Sequence, residues 1–208
     1  MLAFYFSQTE IPKISFGGGG IIMVLIHTLW LPILLSSVAV FILSAVIHMV
    51  LPWHKSDFKK LPDEERARAA IGPLTIPRGE YLIPRVGSSK EMKSPEYSKK
   101  LVDGPVVALT VRRNGPVSMG TRMVAWFIYT LFIGAFSAYI AGRALSPGAA
   151  YLHVFRFVGA TAFFCYVVAQ WEMPIWWWRS MSLTIKATVD GIIYALVTAG
   201  FFAWLWPK

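Results

Sequence analysis

The chain has 208 residues, 56% of them hydrophobic, and carries 20 Lys and Arg against 11 Asp and Glu for a formal charge of +9, with a mean hydropathy of +0.54. Its uncharged stretches are far longer than a soluble core helix needs, which excludes an ordinary soluble domain, and a single cysteine, Cys165, excludes an intrachain disulfide or a cysteine metal cluster. The basic excess falls mostly in one connecting segment, where the positive-inside rule accounts for it, so no nucleic acid partner is expected.

Residues 1–23 read as an N-terminal extension. It lacks the positive n-region and the small-residue cleavage site of a signal peptide, so the span that follows is expected to stay as an anchor. The tetraglycine Gly17 to Gly20 precedes Ile21, Ile22 and Met23. Glycine codons begin with GG, so a purine-rich ribosome-binding site ahead of a start codon would translate this way, which makes Met23 a candidate start. The alternative is a flexible glycine linker.

No Asp, Glu, Lys or Arg occurs between Lys13 and Lys55. Residues 24–52 are the first predicted membrane helix, and the part from about Thr28 to Val50 is long enough to cross a hydrocarbon core of roughly 30 Å. Pro52 closes it, and Trp53 marks an interface before Lys55, Lys59 and Lys60. Residues 53–122 read as a loop with its own organisation. Pro62 followed by Asp63, Glu64 and Glu65 starts a short helix that stops by Gly72, and Ser94-Pro95-Glu96 starts another that stops at Gly104. Glu80 to Ile83 and Val106 to Val111 read as strands. Further membrane helices are predicted over 123–143, 152–171 and 183–206. The expected fold is therefore an all-α membrane protein of four transmembrane helices, with a small α+β cytoplasmic cap between the first and second.

Fourteen Lys and Arg fall between Trp53 and Arg122, and Arg179 joins them between the third and fourth spans, against Lys13, Arg143 and Lys208 on the other side, with Arg156 near it. That bias predicts the cap on the cytoplasmic side and both termini on the opposite side.

Lys186 and Asp190 lie one helical turn apart inside the fourth span. Charges there are costly, usually face a bundle interior, and are expected to pair with each other. Tyr194, one turn deeper, is the next polar group. The pair reads as a structural register lock or as a proton, ion, quinone or lipid site. Small residues recur every fourth position at Ala187, Gly191, Ala195, Ala199 and Ala203, with a shorter stripe at Gly134, Ala138 and Gly142 in the second span. Such stripes let backbones approach closely, within the chain or in a homo-oligomer, and the two are expected to face each other. Trp176, Trp177 and Trp178 beside Arg179 fit an interfacial aromatic belt or a site for an anionic lipid headgroup, and Trp204 and Trp206 mark the opposite interface. His48 and His54 near one face, and His27 and His153 near the other, could ligate haem or a metal, but none is spaced to share a helix face. No cofactor is expected from so weak a signal, and no nucleophile elbow, phosphate loop or metalloprotease helix is present.

The stretch His48-Met49-Val50-Leu51-Pro52-Trp53-His54-Lys55-Ser56-Asp57-Phe58-Lys59-Lys60-Leu61-Pro62-Asp63-Glu64 resembles one in a family of small uncharacterised four-span bacterial integral membrane proteins, as does the segment with Lys186, Asp190, Gly191 and Tyr194. The resemblance runs from about Met23 to Lys208. It implies a four-span inner-membrane protein with Met23 as its start, and it implies no activity and no catalytic residues. The expected function is a non-enzymatic accessory subunit or scaffold in the lipid bilayer, as part of a larger membrane complex or a homo-oligomer. A small proton-coupled carrier using Lys186 and Asp190 is the alternative, and a haem or quinone redox protein the third.

Overall fold

The structure is a computed structural model that describes residues 23–208. The tetraglycine segment, on which the start at Met23 rests, lies outside the described residues. Four helices are long and apolar enough to cross a membrane: Ile26–Val50, Met119–Ala144, Tyr151–Trp176 and Met181–Trp204.

The first comprises a 3₁₀ turn, Ile26–Leu29, helix α1, Trp30–Ala45, and a π-helical turn, Val46–Val50. Pro32 falls in the first turn of α1, where its missing N–H breaks no intrahelical bond. The cap then supplies α2, Glu64–Ile71, strand β1, Gly79–Ile83, the short α3, Ser89–Met92, α4, Pro95–Asp103, and β2, Val107–Val111. Its helices start on oxygen caps: Asp63 accepts from the Arg66 N–H, Ser88 from Glu91 and Ser94 from Tyr97. β1 and β2 pair antiparallel, with Tyr81 opposite Leu109. The remaining elements are α5, Met119–Ala144, α6, Tyr151–Tyr166, the short α7, Glu172–Trp176, and α8, Met181–Trp204.

The long helices form a ring in which α1 packs on α5 and α8, and α6 packs on α5 and α8. Its surface is apolar and its interior carries small polar groups. Ile42, Ile128, Phe132, Phe164 and Leu196 are exposed, whereas Ser36, Ser37, Thr130, Ser137, Thr184 and Thr198 are buried. In lipid this arrangement carries no penalty outside, and inside every one of these hydroxyls except that of Ser137 bonds the preceding turn. Ser37 donates to the Ile33 carbonyl at 2.8 Å, Thr130 to Phe127 at 2.7 Å and Thr198 to Tyr194 at 2.8 Å.

The glycines of the two small-residue stripes abut other helices rather than each other, while Ala138 of one stripe shares a core cluster with Ala199 and Ala203 of the other. Gly134 abuts Ile33 and Ser37 of α1, Gly142 abuts Val24, and Gly191 abuts Tyr166 and Val167 at the end of α6. The ring order explains this, because α5 and α8 each lie between α1 and α6. Gly134, Ala138, Gly142, Gly191, Ala195, Ala199 and Ala203 are all buried within the chain, and Ala187 is half-buried.

At the end remote from the cap, the last turn of α5 and the loop that follows it are laced to both flanks of the bundle. The Val24 N–H donates to the Gly142 carbonyl at 2.9 Å, Gly148 to Pro207 at 2.8 Å, and the Trp206 indole to Ser146 at 3.1 Å. Trp206 is therefore a buried core residue, in contrast to the interfacial role expected of it, while Trp204 beside it is exposed.

Candidate functional site

The site lies where α1 gives way to the cap. Leu51 is extended (φ −75°, ψ 147°), the conformation that a following proline favours, and Pro52–His54 is a 3₁₀ turn. This turn folds the chain back on itself. It stacks the His54 ring on that of His48, with centroids 4.1 Å apart and planes within 6°.

His54 stands between two carboxylates. Its Nδ1 is 2.6 Å from Asp57 Oδ2, and its Nε2 is 2.8 Å from Asp190 Oδ2 on α8. Asp57 Oδ1 accepts from Lys186 Nζ at 2.8 Å, and Lys186 also donates to the Trp53 carbonyl at 2.7 Å and to Ser56 Oγ at 2.9 Å. All three ammonium donors are thereby used, and the Lys186 charge lies 5.6 Å from the centre of the Trp53 ring. The result is an alternating chain, Lys186, Asp57, His54, Asp190, whose side chains are 15%, 13%, 12% and 5% exposed.

Lys186 and Asp190 share a helix face, as their spacing predicts, but they are not bonded to each other. Each reaches instead to the 52–57 turn, which offers Lys186 a carboxylate plus two further acceptors and offers Asp190 a ring nitrogen. The two charges are coupled through Asp57 and His54. Burial by itself raises the Asp57 carboxyl. Hydrogen bonds and charge from Lys186 and His54 outweigh that and hold it below the ordinary carboxylate value.

Ionised carboxylates only accept, so bonding both ring nitrogens requires a proton on each, or a proton on one of the two carboxyls. With an imidazolium at His54, two cations balance two anions, which is how buried charges are normally accommodated.

Lys186 and Asp190 line a cavity of about 650 Å³ with Ile47, Leu51, Trp53 and Ser56. On the other side of α1 a smaller cavity, about 240 Å³, is lined by His48, Phe41, Arg122, Met123 and Trp126. Ser44 connects the two walls of that second cavity. Its carbonyl is 3.0 Å from His48 Nδ1, and its Oγ accepts from the Trp126 indole at 2.8 Å.

Tyr194 is buried one turn below Asp190, and its hydroxyl has no hydrogen-bond partner among the described residues. Trp126 and Tyr166 close around it, with ring centroids at 5.9 and 5.6 Å. Trp176, Trp177 and Trp178 are exposed on the turn between α7 and α8, with Arg179 half-buried beside them, and they take no part in the chain of charges. His27 and His153 are exposed and do not join it either.

Sequence reasoning singled out Lys186 and Asp190 and set His54 beside His48, but it missed Asp57 and gave His54 no carboxylate partner. The available signal was His54-x-x-Asp57, an acid one turn after a histidine in a proline-initiated turn at the end of a span. Comparisons of the chain with protein-family models, with curated proteins and with solved structures find no match.

Proposed function

We propose that the chain is a non-enzymatic accessory subunit or scaffold of a bacterial cytoplasmic membrane, crossing it four times with the cap in the cytoplasm and both termini outside. The observation that carries this reading is where the buried charge lies. Lys186, Asp57, His54 and Asp190 tie the end of α1 to α8 at the cap end, and from Gly191 to Trp204 α8 has no Asp, Glu, Lys, Arg or His. That distribution suits a lock that fixes helix register better than a path across the membrane. The basic cap supports the orientation.

The cavity beside Lys186 and Asp190 favours a small carrier as the second reading. Native mass spectrometry after gentle extraction from host membranes separates the two. A complex of fixed stoichiometry, with a second copy or with another membrane protein, is expected. A lone chain in every preparation, or solute or proton flux in proteoliposomes that Asp190→Asn abolishes, would overturn the subunit reading. A haem absorbance band in the purified protein would replace it with the redox one.

A further inference from the structure

The lock contains more ligand chemistry than a register device needs. One donor atom from each of His48, His54 and Asp190 lies within 4.8 Å of the other two. We infer that these three residues form a binding site for one divalent transition-metal ion of the zinc class.

The donor set argues for the ion's identity. Two imidazoles and one carboxylate are the borderline nitrogen and oxygen ligands that zinc-like ions take, with a fourth position left for water. Calcium would need six to eight oxygens and magnesium an octahedral set, roughly by the same coordination rules. A single carboxylate supplies neither.

The surrounding groups argue that the ligands are held for the purpose. Ligating histidines typically donate their other N–H to a carboxylate or a backbone carbonyl, which fixes tautomer and ring orientation. Both histidines do so here. His54 Nδ1 faces Asp57, itself held by Lys186, and His48 Nδ1 faces the Ser44 carbonyl. A carbonyl only accepts, so His48 carries its proton on Nδ1 and presents Nε2 as a free lone pair. His54 presents Nε2 to Asp190.

The parallel stack requires one adjustment, since in-plane lone pairs of parallel rings do not converge. His48 is the ring that can pivot about its bond to the Ser44 carbonyl, being exposed and carried on the π-helical turn Val46–Val50, a local widening often found at functional sites. Binding balances simply. The dication takes the place of the proton shared between His54 Nε2 and Asp190, and that proton leaves to solvent.

This inference does not depend on the subunit reading, because a scaffold can be built with or without an ion. The test uses the full chain in detergent, freed of any affinity tag and treated with chelator, then titrated with Zn²⁺ by calorimetry and with Co²⁺ by visible absorbance. One equivalent should bind with release of a proton, and Co²⁺ should give the intense bands of four-coordinate geometry. His48→Gln should weaken Zn²⁺ binding at least tenfold, about the scale of losing a metal contact, and it leaves the bonds among Lys186, Asp57, His54 and Asp190 in place. Its thermal transition should therefore match the parent's, which separates lost ligation from lost folding. Asp57→Asn should weaken binding roughly 10- to 100-fold. Absence of saturable Zn²⁺ binding, binding that survives His48→Gln, or binding lost instead in His27→Gln or His153→Gln would overturn the inference.

Discussion

His54 and Lys186 settle how the polar site is wired. Lys186 has three acceptors in the 53–57 turn, and Asp190 has the His54 ring, so the one-turn neighbours on α8 depend on the same distant segment rather than on each other. Double-mutant cycles should read this directly. Lys186→Gln with Asp57→Asn should show a coupling of about 1–3 kcal/mol, the range for charges in direct contact, and Lys186→Gln with Asp190→Asn a smaller one. Equal couplings in thermal or denaturant unfolding would contradict the wiring. Lys186 and Asp190 were legible in the sequence because charge within an apolar run stands out at any position. Asp57 was not, because helical spacing reports only neighbours on the same helix, and Asp57 is 129 residues from Lys186.

Among the elements, Gly134 of α5 and Gly191 of α8 make different demands. A methyl group built on Gly191 would sit 2.8 Å from the Tyr166 carbonyl and 2.8 Å from a Val167 methyl, whereas on Gly134 it would meet the Ile33 side chain at 3.3 Å. The first contact is partly with backbone, which cannot move out of the way as a side-chain terminus can. Gly191→Ala should therefore destabilise by about 1–3 kcal/mol through overpacking, and Gly134→Ala by distinctly less. Calorimetric or denaturant unfolding of both variants decides it, and the reverse order would refute the argument. The stripes were legible from their four-residue period. Their partners were not, since a stripe says that something comes close but not which of three helices it is. The cap helices were readable for a different reason: Asp63 and Ser94 are N-caps whose side chains act within a few residues. The π-helical turn had no such local signal.

As a whole, the molecule has the distribution that a lipid surround favours, with large apolar side chains outside and serine, threonine and small residues within. Composition and run length made the four apolar helices legible, because apolar runs of that length have few other uses. The ring order was hidden, since it depends on which surfaces fit rather than on any one segment. The orientation proposed above predicts that a cysteine placed at the exposed Ser89, in a Cys165→Ala background, stays unlabelled by a membrane-impermeant reagent in intact spheroplasts and reacts once the membrane is opened. Labelling of intact spheroplasts would reverse the topology.

The π-helical turn makes the polar site a matter of spacing as much as of side-chain identity. Its closing bond, from the Leu51 N–H to the Val46 carbonyl, spans one residue more than an α-helical bond would. One residue fewer there would rotate everything that follows by about 100°, the angle per residue of an α-helix, and carry His54 away from His48. The site can thus be written as a signature: His, five residues, His, two residues, Asp at the end of one apolar helix, then Lys, three residues, Asp near the start of a later one. Other chains that share the arrangement would be recognised by those intervals, even where the helices around them have little else in common.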